Sequence, residues 1–161
     1  MKKVDMKELK KIIQNELDVL IDYIPNNTII YQCAFGKRPD MDQSAKGVYV
    51  IYDKKTGMII YVGEAFKGKG SIYKRFPPHW IKSLEDLIVK YPDKDTAGWR
   101  SLREDIEYNV ADWEILYVKL DRSDVIGAVE SNLILKLQPY ANDEILENRI
   151  NNKTKEVHYG H

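Results

Sequence analysis

Two short runs of β-branched and aromatic residues, GVYVIY at 47–52 and MIIYVG at 58–63, are separated only by Asp53-Lys54-Lys55-Thr56-Gly57. Residues of these types fit a pleated, half-buried surface, and a linker of turn formers ending in Gly is far too short for the crossover that parallel strands require. The centre of the chain is therefore an antiparallel β-hairpin. If Tyr52 faces Met58 across the turn, Tyr49 lies directly opposite Tyr61, with two phenols side by side on one face.

A chain of 161 residues is expected to form one compact unit that buries roughly two-thirds of the surface of its unfolded form. Its one cysteine, Cys33, excludes an internal disulfide and fits a reducing compartment. There is no charged-then-apolar leader and no long apolar run, so a cytoplasmic, intracellular protein without membrane attachment is expected. Basic and acidic residues both total 25. With no net field to draw in nucleic acid, a polyanion has to be held by a local patch.

Before the hairpin, Leu9, Ile12, Ile13, Leu17, Leu20 and Ile21 recur at helical spacing, and Asp5 followed by Glu8 resembles a capping box, so a helix is expected over 5–22. Pro25-Asn26-Asn27 stops it, a short strand is expected over 28–35, and a polar loop leads to Lys46. Residues 1–45 read as a helix–strand extension of a core at 46–150, with 151–161 as a frayed tail. After the hairpin, helices are expected over 71–76, 79–91 and 96–108, a third strong strand, WEILYVKL, over 113–120, and a helix from Ser123 to about Gln138 before Pro139. The expected fold is α/β of the α+β type: a small central three-stranded antiparallel sheet flanked by helices, with the N-terminal helical extension.

In the last helix a rotation of about 100° per residue puts Ile126, Val129, Leu133, Ile134 and Leu137 on one stripe with Glu130 near its middle. An inward carboxylate needs an arginine, a hydrogen-bond network or a metal ion.

Taken together, Gly47-Val48-Tyr49, Tyr61-Val62-Gly63, Arg75, His79, Glu130 and Asn142 resemble the signature of the GIY-YIG nuclease superfamily, over about three-fifths of the chain. The resemblance implies a DNA endonuclease that hydrolyses phosphodiester bonds with one divalent metal, Mg²⁺ or Mn²⁺. Tyr49 corresponds to the proposed general base and Tyr61 to the second hairpin tyrosine; Arg75 corresponds to the arginine on the scissile phosphate and His79 to a position often held by histidine or tyrosine. Glu130 corresponds to the metal-binding glutamate and Asn142 to the asparagine that closes the motif set. Gly63, Lys67, Lys69 and Lys74 are the expected contacts to DNA phosphate, and the last three, with Arg75, are candidate cations for stabilising a Tyr49 phenolate. Two features depart from the pattern. Glu64 brings a negative charge next to Gly63, and two expected helices carrying Trp80, Lys82, Trp99, Arg100 and Arg103 separate Arg75 from Glu130. A chain with no separate DNA-reading domain fits a stand-alone restriction-type enzyme, acting as a homodimer on duplex DNA.

Two other functions compete. The same domain would serve as a non-catalytic DNA-binding or protein-interaction module if its site residues did no chemistry. Gly63 to Lys69 also satisfies the G-x-x-x-x-G-K of a phosphate-binding P-loop, but Gly70 stands where the motif needs Ser or Thr, and the antiparallel hairpin is the wrong context.

Overall fold

The computed structural model describes residues 3–25, 27–35, 44–66, 71–72 and 112–139. Of the helices expected over 71–76, 79–91 and 96–108, only Ser71 and Ile72 are among the described residues; both are buried, and the Ile72 N–H donates to the Ala45 carbonyl at 2.9 Å. The tail at 151–161 lies outside them.

Helix α1 spans Met6–Val19. The Asp5 carboxylate accepts from the Glu8 N–H at 2.7 Å, a cap worth about 1 kcal/mol. Leu9, Ile13 and Leu17, four residues apart, are fully buried along its inner face. The helix ends before the periodicity does, because the chain tightens into a 3-10 turn at Ile21–Tyr23 ahead of Pro25, leaving Ile21 and Tyr23 exposed.

Four strands follow: β1 (Ile30–Ala34), β2 (Gly47–Asp53), β3 (Met58–Ala65) and β4 (Trp113–Lys119). They form one antiparallel sheet in the order β1-β4-β2-β3. The expectation of three strands is corrected to four. β1, read from sequence as part of the extension, is an edge strand of this sheet, pairing Ile30 with Val118 and Ala34 with Glu114. Its partner is distant in sequence, so no local signal reveals the pairing. Antiparallel pairing throughout these strands also leaves Gly63 to Lys69 without the parallel sheet in which P-loops sit.

Both faces of the sheet are buried, which is why β2 reads as a continuous apolar run rather than an alternating one. On one face Val48, Val50, Val62, Leu116 and Val118 pack with Leu9, Ile13 and Leu17 of α1 and with Ile126, Val129 and Leu133 of α2 (Ser123–Leu137). Each such fully buried side chain contributes about 1.5–3 kcal/mol. The opposite face collects Tyr49, Ile51, Ile60, Ile115, Tyr117 and Trp113. At Gly47 the sheet leaves no room for a side chain: a Cβ there would lie 1.8 Å from the Val118 carbonyl oxygen of β4.

The hairpin turn is built by its own side chains. The Asp53 carboxylate accepts from the N–H groups of Lys55 (2.9 Å) and Thr56 (3.2 Å), and Gly57 supplies a φ of +77° that other residues rarely adopt. The start of the chain is tied to this turn, since the Val4 N–H donates to the Gly57 carbonyl at 2.9 Å and the Tyr52 hydroxyl donates to the Val4 carbonyl at 2.5 Å. Burial, and then the charges of Asp5 and Asp53, hold the Tyr52 phenol above its ordinary pKa.

The α2 helix stops at Gln138, which takes a left-handed φ of +47° and donates its N–H to the Ile134 carbonyl, before Pro139. Lys136 of α2 reaches across to the buried Glu16 of α1 and closes an ion pair between the two helices. Among the described residues no helix is long and apolar enough to cross a membrane.

Candidate active site on the tyrosine face

The hairpin register differs from the expected one in two steps. Asp53, not Tyr52, faces Met58, which shortens the loop by one residue, and Ile60 is an extra residue in β3 between the pairs Tyr52–Ile59 and Ile51–Tyr61. Tyr49 therefore lies opposite Gly63 rather than Tyr61. Because side chains alternate with period two, a net displacement of two residues keeps Tyr61 on the Tyr49 face while moving it to the diagonal position. The two rings still meet, with centroids 6.0 Å apart and planes inclined by 37°.

This register explains Gly63. The Tyr49 phenol leans across β3 so closely that a Cβ on Gly63 would lie 2.4 Å from its hydroxyl oxygen, 2.5 Å from Cζ and 2.7 Å from Cε1 of Tyr61. Tyr49 is buried, whereas Tyr61 is half-buried at the β3 edge. Glu64 pairs with Val48, whose side chain belongs to the helix face, so alternation turns Glu64 away from the phenols. The charge that departed from the family pattern is therefore on the other side of the strand.

Sequence reasoning did not identify what stands on the far side of Tyr49. Tyr117 of β4 is its direct partner, and Tyr31 of β1 in turn faces Tyr117, stacked at 5.0 Å with planes 10° apart. Tyr31, Tyr117, Tyr49 and Gly63 make one transverse row across all four strands. The alternation in WEILYVKL signals that Tyr117 and Lys119 share a face, but only the pairing says which face.

Glu130 is half-buried rather than central to the buried stripe. The buried residues of α2 are Val125, Ile126, Val129, Leu133 and Leu137; with Val125 inside the stripe and Ile134 only half-buried, its centre lies roughly 70° from Glu130. Lys136, bound to α1, marks the opposite margin, and the strand on which α2 mainly packs is β3. Glu130 consequently sits on the side of α2 remote from α1, along the β3 edge, in the helix layer rather than among the tyrosines.

Thus Tyr49, Tyr61 and Gly63 are brought together on one face and Glu130 lies in the adjoining layer at the same edge. Arg75, His79, Asn142, Lys67, Lys69 and Lys74 fall outside the described residues. Among the described residues no group of three or more His, Cys, Asp or Glu side chains is arranged to hold a metal ion. A cavity of about 340 Å³ lined by Tyr23, Leu120, Arg122 and Val125 opens at the start of α2, on the helix side and away from the phenols. Cys33 is half-buried next to β4; burial, and secondarily the charge of Glu114, push its thiol up to about 11, so it is a poor nucleophile at neutral pH. No family model matches the chain, and no curated protein is significantly similar to it.

Proposed function

We propose that this chain is a divalent-metal-dependent DNA endonuclease of the GIY-YIG type, a stand-alone restriction-type enzyme acting as a homodimer on duplex DNA. The observation that carries the reading is the fit of the Tyr49 phenol over Gly63 beside Tyr61. It accounts for a Tyr on β2 and a Tyr-x-Gly on β3 as one spatial unit, where packing alone would accept any apolar pair.

In-line hydrolysis of a phosphodiester needs a base for the attacking water, positive charge at the phosphoryl oxygens and stabilisation of the departing alkoxide. Tyr49 is assigned to take the proton from water, and Tyr61 to orient that water from the diagonal position. A phenol with a reference pKa of about 10 serves as a base only next to positive charge. Arg75 and the lysines at 67, 69 and 74 are assigned to that task and to the phosphates, with His79 and Asn142 completing the site. Glu130 would hold the Mg²⁺ or Mn²⁺. A half-buried single carboxylate at a sheet edge suits a hard cation that keeps most of its waters and takes only one or two protein ligands. When bound, the ion would neutralise charge developing on the phosphoryl and leaving oxygens.

Supercoiled plasmid incubated with the protein and Mg²⁺ or Mn²⁺ tests the reading. Nicked and linear products that vanish with chelator are expected. Intact plasmid with both metals would leave only the non-catalytic module.

A further inference from the structure

Among the described residues, the tyrosine face carries a cation, Lys119, that has no part in the proposed hydrolysis. Alternation along β4 puts Lys119 on the same face as Tyr117, and its cross-strand partner on β2 is Gly47. Gly47 brings no side chain against it, and the exposed Lys119 belongs to the next pair on this face after Tyr49–Tyr117. Its ammonium is not loose. It lies 4.9 Å from the centroid of the Tyr31 ring, in cation–π range, and that ring is itself stacked on Tyr117.

The charge of this face is one-sided. Among the described strand residues, alternation assigns it one carboxylate, Asp53, at the opposite end of β2 and already committed to the turn N–H groups. Glu64 and Glu114 pair with Val48 and Tyr52, which belong to the helix face. Among the described residues, an anion at the β1 side of this face therefore meets an ordered ammonium and no carboxylate near it.

We propose that Lys119, seated on Tyr31, contacts a phosphate of the DNA strand next to the scissile one, on the accessible β1 side of the tyrosine row. Tyr31 and Tyr49 lie on strands two places apart, on the order of 10 Å at the usual strand spacing. That is too far for Lys119 to serve the phosphate attacked at Tyr49, and suits a neighbouring one. Tyr31 acts as a positioning residue, ordering a side chain that would otherwise lose rotamer freedom on binding. This assignment rests on the endonuclease reading.

The test is duplex DNA binding in chelator across a salt series, with cleavage in Mg²⁺ measured separately, for wild type, Lys119→Gln, Lys119→Arg and Lys55→Gln. Lys55 is an exposed lysine in the hairpin turn, at the other end of the sheet. Lys119→Gln should weaken binding several-fold and reduce the slope of log K against log salt by about 0.9, the loss of one phosphate contact. Lys119→Arg should keep both affinity and slope, and Lys55→Gln should change neither. Wild-type affinity and slope in Lys119→Gln, or an equal loss in Lys55→Gln, would overturn the proposal while leaving the endonuclease reading intact. A wild-type protein that neither binds nor cuts duplex would instead overturn that reading, and the Lys119 assignment with it.

Discussion

Gly63→Ala tests the geometry of the candidate site directly. The added Cβ would lie 2.4 Å and 2.5 Å from Oη and Cζ of Tyr49, whereas unstrained contacts are about 3.5–4 Å, so the ring must retreat by about 1 Å. Tyr49 is only 6% exposed and has Tyr117 as its partner on the other side, which leaves it little room to do so. Overpacking of this kind costs about 1–3 kcal/mol, or roughly 2–4 °C of melting temperature per kcal/mol in a chain of this size. Urea unfolding of wild type, Gly63→Ala, Tyr49→Ala and the double variant makes a complete cycle. With the Tyr49 ring gone, only the 2.7 Å approach to Cε1 of the half-buried Tyr61 remains, so the alanine should cost much less than in the wild-type background. The coupling should therefore exceed about 1 kcal/mol. Tyr49→Phe should give no such relief, since the Cζ contact remains. An equal cost of Gly63→Ala in both backgrounds would refute the packing of the phenol over Gly63. If the site works as proposed, a displacement of about 1 Å in the Tyr49 ring should also lower cleavage by about a hundredfold.

Two further outcomes follow from groups away from the phenols. Lys136→Met removes the partner of the buried Glu16 and should lower unfolding free energy by about 1–3 kcal/mol, whereas Glu16→Met with Lys136→Met should recover to within about 1 kcal/mol of wild type; equal losses in both would show that the ion pair is not what Lys136 contributes. For Cys33 the folded-state pKa of about 11 lies above the unfolded value, so its contribution to stability is complete below pH of about 8.5 and is lost as pH rises towards 11. Iodoacetamide should label it at pH 8 at least about a hundredfold more slowly in the native protein than in urea, and Cys33→Ala should flatten the alkaline limb of the stability profile.

The elements that could be read from sequence are those with a strong local period. The α1 stripe of Leu9, Ile13 and Leu17, the hairpin runs and the start and stop of α2 all depend on residues within a turn or two of one another. What required long-range pairing could not be read. The fourth strand is invisible until β4 is beside it, and the register at Tyr49 depends on a bulge at Ile60 that no composition signal marks in the run MIIYVG. The face of Tyr61 survived this error only because two single-residue shifts add to one full pleat. Glu130 lies off the middle of its stripe because Val125, in the first turn of α2, is buried and Ile134 is only half-buried, a difference in depth that periodicity alone does not show. In the sequence the lysines cluster in the glycine-rich loop after β3, and only the pairing of β4 with β2 places Lys119 on the tyrosine face.

The central claim, that this chain cuts DNA through a carboxylate-held metal at the β3 edge, is tested most directly by Glu130→Gln. The substitution keeps size and hydrogen-bonding capacity but removes the charge, and at a half-buried helical position it should leave the melting temperature close to wild type. Melting temperature, duplex affinity in chelator and Mg²⁺-dependent plasmid cleavage are to be measured on the same preparation. Unchanged folding and binding with cleavage reduced by at least about a hundredfold is the predicted result, the order of loss when one electrostatic group of an active site is removed. Cleavage near wild type from the folded Glu130→Gln protein would contradict the metal-site mechanism.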